Sequence, residues 1–150
     1  MGILSEEMVR LRATAHDKED AIRQAGELLV NGGCVNSNYI AGMLTREQTM
    51  STYLGNGVSI PHGMLENRDD VQKTGISVLQ LPEGVEWNDG EIVYLVIGIG
   101  AKSDEHMDVL MNLAEVIEDP EETERLVKTN DAALIIERLS QSPEDTEIGD

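Results

Sequence analysis

The chain has 150 residues, 40% of them apolar, and carries 29 acidic against 11 basic side chains, for a net charge of -18. This length predicts one ordinary domain with its own core, and this charge argues against nucleic-acid binding, which needs clustered Lys and Arg. The longest apolar run, Ile92 to Ile99, is far shorter than the roughly 20 residues that span a bilayer, so we expect no membrane insertion.

The first third of the chain predicts two helices. Apolar residues recur at helical spacing from Asp17 to Asn31, with Asp17 placed as the N-cap and Gly32-Gly33 as the stop. A second helix is predicted from about Ser37 to Glu47. The N-terminus shows no export signal and the single cysteine, Cys34, has no internal partner, so the cytoplasm is the expected compartment.

The middle of the chain predicts strands. A short strand is expected at Val58 to Pro61, and two β-branched runs, Gly75 to Leu81 and Ile92 to Ile99, are typical of buried central strands. The turn signal Pro82-Glu83-Gly84 is expected to end the first of these runs. The loop predicted after it carries Trp87, a candidate for partner docking.

The last third is helical. A periodic stretch after Ser103 places His106 in the opening turn of a helix, and two shorter helical patterns follow Pro120. Strands interleaved with helices indicate an α/β layered domain over residues 1–140. Residues 141–150 form an acidic tail that we expect to be disordered.

Two of the three histidines, His62 and His106, occupy positions where chains expose functional groups. The flexible backbone of Gly55-Asn56-Gly57 could turn its amides toward an anion. Pro61 restricts the backbone before His62, and Gly63 lets another molecule approach the ring closely. An imidazole is a nucleophile near neutral pH, and a phosphoryl group leaves it readily. This context favours His62 as a relay point for a phosphoryl group.

The run Tyr53 to Gly63, YLGNGVSIPHG, resembles the phosphorylation-site signature of mannitol/fructose-type enzyme IIA domains of the phosphoenolpyruvate-dependent sugar phosphotransferase system. Similarity to the mannitol branch extends over roughly residues 8–139. The resemblance implies a mixed central sheet of about five strands with helices on both faces. Ser59 and Asn56 depart from the family pattern, which commonly has Ala and an acid there.

The same resemblance implies specific roles. His62 accepts a phosphoryl group from phospho-HPr, Arg46 and His106 contact the phosphate, and a cysteine of an enzyme IIB is the acceptor. The phosphate then reaches sugar that enters through a membrane permease, so the permease is an indirect partner. No cofactor and no metal are implied.

Two other functions remain open at this point. A nitrogen-related regulatory paralogue would carry phosphate on the same histidine, although the stretches Leu81 to Val85 and Asp104 to His106 favour the mannitol branch, with fructose second. A metal-dependent hydrolase would use His62, His106 and either Glu66 or Asp108. The absence of a His-Glu-x-x-His pattern argues against that second alternative.

Overall fold

The computed structural model describes residues 4–102 and 106–139, apart from the side chains of Leu65, His106 and Met107. Its elements in chain order are β1 (Val9–Arg10), α1 (Lys18–Asn31), α2 (Asn38–Thr49), β2 (Tyr53–Gly55), β3 (Val58–Ser59), β4 (Gly75–Asn88), β5 (Glu91–Gly100), α3 (His106–Ile117), α4 (Pro120–Lys128) and α5 (Ala132–Leu139). Two 3-10 turns, Glu6–Met8 and Leu65–Asp70, complete the set. The predicted tail, residues 141–150, lies outside the described residues.

The five strands form one mixed sheet in the order β1-β4-β5-β3-β2. β1 runs parallel to β4 and β3 runs parallel to β5, whereas β4 with β5 and β2 with β3 are antiparallel pairs. The long β4–β5 hairpin is the centre of the sheet, and Gly90 takes a left-handed φ of 80° at its turn. The expected mixed five-stranded sheet is confirmed.

Helices cover both faces of this sheet. The Ser77 hydroxyl of β4 donates to the Ala25 carbonyl of α1 at 2.8 Å, which places α1 on one face. The Gln80 amide donates to the carbonyls of Leu126 (3.1 Å) and Thr129 (2.8 Å), at the end of α4. Because side chains alternate along a strand, residues 77 and 80 point to opposite faces. The two layers of helices agree with the expected fold.

The turn signal at Pro82-Glu83-Gly84 does not end β4. The strand continues to Asn88, and the pairing with β5 shifts register between Gln80 and Val85. An irregularity of this kind accommodates a proline that lacks a donor, and Gly84 supplies a φ of 78°. The expectation of a loop here was wrong, because proline and glycine occur both in turns and in the bulges of a continuous strand.

Trp87 is therefore a strand residue, and it is buried with 4% of its surface exposed. Its indole Nε1 donates to Glu47 Oε2 at 2.9 Å. A docking role for this side chain is excluded, because the ring already packs inside the protein. Among the described helices, none is long and apolar enough to cross a bilayer.

Candidate active site

A cavity of about 500 Å³ lies where the end of α2 meets the chain that follows β3. Ten described residues line it: Tyr39, Arg46, Thr49, Met50, His62, Gly63, Met64, Arg68, Val71 and Ala101. None of these ten is acidic, although 29 of the 150 residues of the chain are. A wall with two arginines and one histidine in such an acidic protein favours an anionic ligand.

The half-buried ring of His62 has a defined orientation. Its Nδ1 lies 2.8 Å from the carbonyl oxygen of Ile60. A carbonyl only accepts hydrogen bonds, so Nδ1 carries the proton. In the neutral ring the lone pair is then on Nε2, which makes Nε2 the nucleophilic nitrogen.

The main chain on both sides of His62 is fixed to neighbouring elements. Ile99 of β5 donates its N–H to the Pro61 carbonyl at 2.9 Å. The Gly63 N–H donates to the Tyr39 hydroxyl, which in turn donates to the Ile99 carbonyl, both at 2.8 Å. A Cβ on Gly63 would lie 2.6 Å from the Tyr39 ring, so only glycine fits here. His62 therefore projects from a rigid segment.

Arg46 stands in the last turn of α2 and lines the same cavity. Its Nη1 donates to the Met50 carbonyl at 2.6 Å, which holds the guanidinium at the helix end. The adjacent Glu47 points inward with 5% of its surface exposed and accepts from the Thr52 amide and the Trp87 indole. Arg46 thus faces the cavity, whereas Glu47 faces the protein interior. The hydrogen bonds of the buried carboxylate fix the last turn of α2, which carries Arg46.

A family model for the phosphoenolpyruvate-dependent sugar phosphotransferase system, EIIA 2, matches residues 2–142. The chain belongs to this EIIA 2 family. Membership makes it a phosphotransferase component of that system and confirms the resemblance seen in the sequence.

Curated relatives carry two kinds of name. A mannitol-specific phosphotransferase enzyme IIA component of Bacillus subtilis is 42% identical over 127 residues, which are 85% of this chain and 89% of that protein. A multiphosphoryl transfer protein of Xanthomonas campestris is 51% identical over 137 residues, which are 91% of this chain and 16% of that protein. The EIIA 2 chain thus spans only a small part of the length of the latter relative.

Solved structures share the fold. The crystal structure of IIA mannitol from Escherichia coli has a TM-score of 0.84 and 42% identity, covering 91% of this chain and 98% of that one. The complex of enzyme IIA and phosphorylated enzyme IIB for mannitol from the same organism also gives 0.84, with 41% identity, covering 91% and 96%. Nitrogen regulatory protein IIA-Ntr from Neisseria meningitidis gives 0.78 and 26% identity, covering 91% and 96%.

Of the site residues expected for this EIIA 2 domain, the structure brings His62 and Arg46 together in one cavity. His106 is the first residue of α3, but its side chain lies outside the described part of the chain. Tyr39 and Arg68 are among the lining residues that were not expected from the sequence. A basic residue shortly after the histidine motif of an acidic chain was the one available signal for Arg68.

The phosphate-loop candidates Gly55, Asn56 and Gly57 are placed elsewhere. Gly55 ends β2, and Asn56 and Gly57 form the turn to β3. All three take positive φ values, and Asn56 Nδ2 donates to the Ile117 carbonyl at 2.7 Å. Asn56 lines a different, larger cavity of about 690 Å³ between α4 and the sheet. This turn therefore joins the two strands of the β2–β3 hairpin and contacts the end of α3.

The larger cavity is a weaker candidate for chemistry. Its two cations are already engaged, since Arg12 Nε donates to Asn130 at 2.9 Å and Lys128 pairs with Glu124 at 2.9 Å. Among the residues that the structure describes, its lining includes no histidine and no cysteine. Within the described ranges, no group of three His, Cys, Asp or Glu side chains is arranged to hold a metal ion.

Cys34 is buried, and burial raises the pKa of its thiol, an effect that Lys73 partly offsets. A thiol that stays protonated is a poor nucleophile. Cys34 is thus unsuited to carry a phosphoryl group.

Replacing Tyr39 with Phe is expected to lower the free energy of unfolding by about 1–3 kcal/mol, because the Gly63 N–H and the Ile99 carbonyl lose a buried partner. Tyr53→Phe is the matched control, since among the described residues the Tyr53 hydroxyl accepts only a 3.4 Å contact from the Gly57 N–H. Urea denaturation of the two variants measures the difference. Equal stability would show that the hydrogen bonds of the Tyr39 hydroxyl do not stabilise the fold.

The same variant has a pH signature. Burial raises the pKa of Tyr39, and the hydrogen bond from Gly63 partly offsets this rise. The protonated hydroxyl therefore stabilises the fold fully below the ordinary tyrosine pKa, and this contribution is lost as pH rises through the raised pKa. We expect wild-type stability to fall more steeply with alkaline pH than that of Tyr39→Phe, as followed by urea midpoints.

Proposed function

We propose that this chain is a mannitol-type phosphocarrier that takes a phosphoryl group from phospho-HPr onto Nε2 of His62 and passes it to a cysteine of an enzyme IIB. The observation that carries the proposal is the His62 ring, held by Nδ1 on the Ile60 carbonyl inside a cavity whose described lining includes two arginines and no acid. A nucleophilic nitrogen and an anion-attracting wall are the two requirements of a phosphohistidine carrier.

In the proposed reaction, the Nε2 lone pair attacks phosphorus, and the new N–P bond forms as the bond between phosphorus and the donor breaks. The proton stays on Nδ1, where the Ile60 carbonyl stabilises the positive charge that develops on the ring. In the second step the IIB sulfur attacks, an S–P bond forms and the N–P bond breaks. His62 then returns to its neutral state.

Arg46 is proposed to bind the phosphoryl oxygens. A guanidinium presents several donors in a plane that matches phosphate, and Nη1 alone is used by the Met50 carbonyl. His106, at the start of α3, is proposed to add a ring donor near amides at a helix N-terminus. Both groups would stabilise the charge on the group in transfer.

The proposed partners follow from the relatives. The chain shares 41% identity with the IIA protein whose complex with phosphorylated IIB is known and 42% with a mannitol-specific IIA component, against 26% for the nitrogen regulatory protein. This difference supports sugar uptake over regulation, with mannitol as the proposed substrate of the pathway. The carrier would act in the cytoplasm and serve a membrane permease through IIB.

The test is a reconstituted relay. The purified chain is incubated with phosphoenolpyruvate, enzyme I and HPr, its intact mass is measured, and mannitol-type or fructose-type IIB is then added. We expect one acid-labile phosphoryl group that passes faster to mannitol-type IIB. An unlabelled chain would reject the carrier, and label that passes to neither IIB would favour the regulatory function.

A further inference from the structure

Two arginines line the His62 cavity, and their side chains differ in exposure and in hydrogen bonding. Arg46 is half-buried and donates to the Met50 carbonyl. Arg68 is exposed and forms no hydrogen bond or ion pair with any other residue that the structure describes. The donors of Arg68 are therefore available to a ligand in the cavity without breaking an existing contact.

The backbone that carries Arg68 is nevertheless fixed. The 3-10 turn Leu65–Asp70 is closed by two reciprocal bonds, from the Met64 N–H to Asn67 Oδ1 and from the Asn67 N–H to the Met64 carbonyl, both at 2.8 Å. A Cβ on Gly42 of α2 would collide with the Asn67 side chain, so the turn packs directly against α2. Arg68 thus extends an exposed side chain from a fixed stretch of backbone.

The end of the turn is equally well held. Asp70 Oδ1 accepts from Asn36 Nδ2 at 2.9 Å, and the Val71 N–H donates to the Arg68 carbonyl at 3.1 Å. The Asp70 carboxylate is thereby engaged by Asn36, and no ion pair joins it to Arg68 among the described residues. The positive charge of the Arg68 guanidinium is therefore not offset by an ion pair with a described residue.

Charge balance in the cavity calls for a second cation. A phosphoryl group bound to a protein side chain carries roughly -1.5 to -2 charge near pH 7, and this protein already has a net charge of -18. One arginine neutralises only part of the added charge. Among the described lining residues, Arg68 is the one other permanent cation.

We propose that Arg68 is a second phosphate-binding residue, which closes on the phosphoryl group at His62 opposite Arg46. This inference rests on the proposed function, because it assigns a contact to the group that His62 would carry. Arg46 would hold the oxygens from the end of α2 and Arg68 from the turn after His62.

The test compares Arg68→Gln and Arg68→Lys with the matched control Arg23→Gln. Arg23 is an exposed arginine of α1 that is not among the residues lining the cavity, so its replacement changes the net charge equally. Two quantities are measured: the rate of labelling by phospho-HPr, and the affinity for inorganic phosphate from 31P NMR titration. The second needs no partner protein, so it separates phosphate binding from docking.

We expect Arg68→Gln to slow labelling and weaken inorganic phosphate binding, each on the order of 10-fold, which is the usual effect of losing one charge-assisted hydrogen bond. Arg68→Lys should recover part of both, and Arg23→Gln should match the wild type. Equal phosphate affinity in Arg68→Gln and Arg23→Gln, including no binding by either, would overturn the inference even if labelling slows. A wild type that takes no label would instead reject the proposed function, while the phosphate titration still decides on Arg68.

Discussion

The His62→Gln variant is expected to lose labelling by phospho-HPr by roughly 10³-fold or more, since removal of the nucleophile leaves no group for the N–P bond. Gln is the informative replacement because its amide still donates a hydrogen bond, as Nδ1 does to the Ile60 carbonyl. It lacks a basic nitrogen, so the effect isolates the chemistry from the packing. Intact mass after incubation with phosphoenolpyruvate, enzyme I and HPr measures the loss.

His16→Gln is the control for this experiment. His16 is exposed before α1 and is not among the residues lining the cavity, so its replacement should leave the label unchanged. Thermal melts should show both variants folded. A label that persists on His62→Gln, or disappears with His16→Gln, would show that another side chain is the acceptor.

The second large effect is expected at Glu47. Its buried carboxylate accepts from the Thr52 amide and hydroxyl and from the Trp87 indole, and lies 4.0 Å from Lys18 Nζ. Glu47→Ala would leave these buried donors without an acceptor, so we expect a loss of about 3–5 kcal/mol in the free energy of unfolding. Urea denaturation measures the loss.

Glu27→Ala, an exposed acid on α1, is the matched control and should change stability by less than about 0.5 kcal/mol. Trp87 is the only tryptophan of the chain, so tryptophan fluorescence reports on the surroundings of this one side chain. We expect its emission to change in native Glu47→Ala and to stay constant in Glu27→Ala. A variant that is as stable as the wild type would show that the Glu47 contacts do not hold the end of α2.

Parts of the fold were predictable where local chemistry dominates. Asp17 caps α1 by accepting from the Asp20 N–H at 2.8 Å, as the sequence indicated, and the β-branched runs form β4 and β5. β1 was not predicted, because a strand of two residues, Val9 and Arg10, is too short to show an alternation of apolar and polar side chains. That strand exists only because β4, distant along the chain, offers it a partner.

The site residues likewise include some that the sequence predicts and some that it does not. His62 was predictable because its motif is contiguous, whereas the contact of Tyr39 with Gly63 depends on how α2 packs against β5. Tyr39 alone reads as an ordinary core residue of an amphipathic helix. The Gly55-Asn56-Gly57 run was interpreted as a phosphate loop, but positive φ values are also what a hairpin turn requires. Turn chemistry and anion binding use the same residue types, so the sequence did not separate them.

The central claim is that His62 carries the phosphoryl group on Nε2 while Nδ1 remains bonded to the Ile60 carbonyl. NMR of the phosphorylated protein, with 15N in the histidine rings and 31P detection of the N–P coupling, tests this most directly. The account predicts a single phosphoryl group on Nε2 of His62, with Nδ1 still protonated. Coupling to Nδ1 of His62, or to a ring nitrogen of His16 or His106, would contradict it.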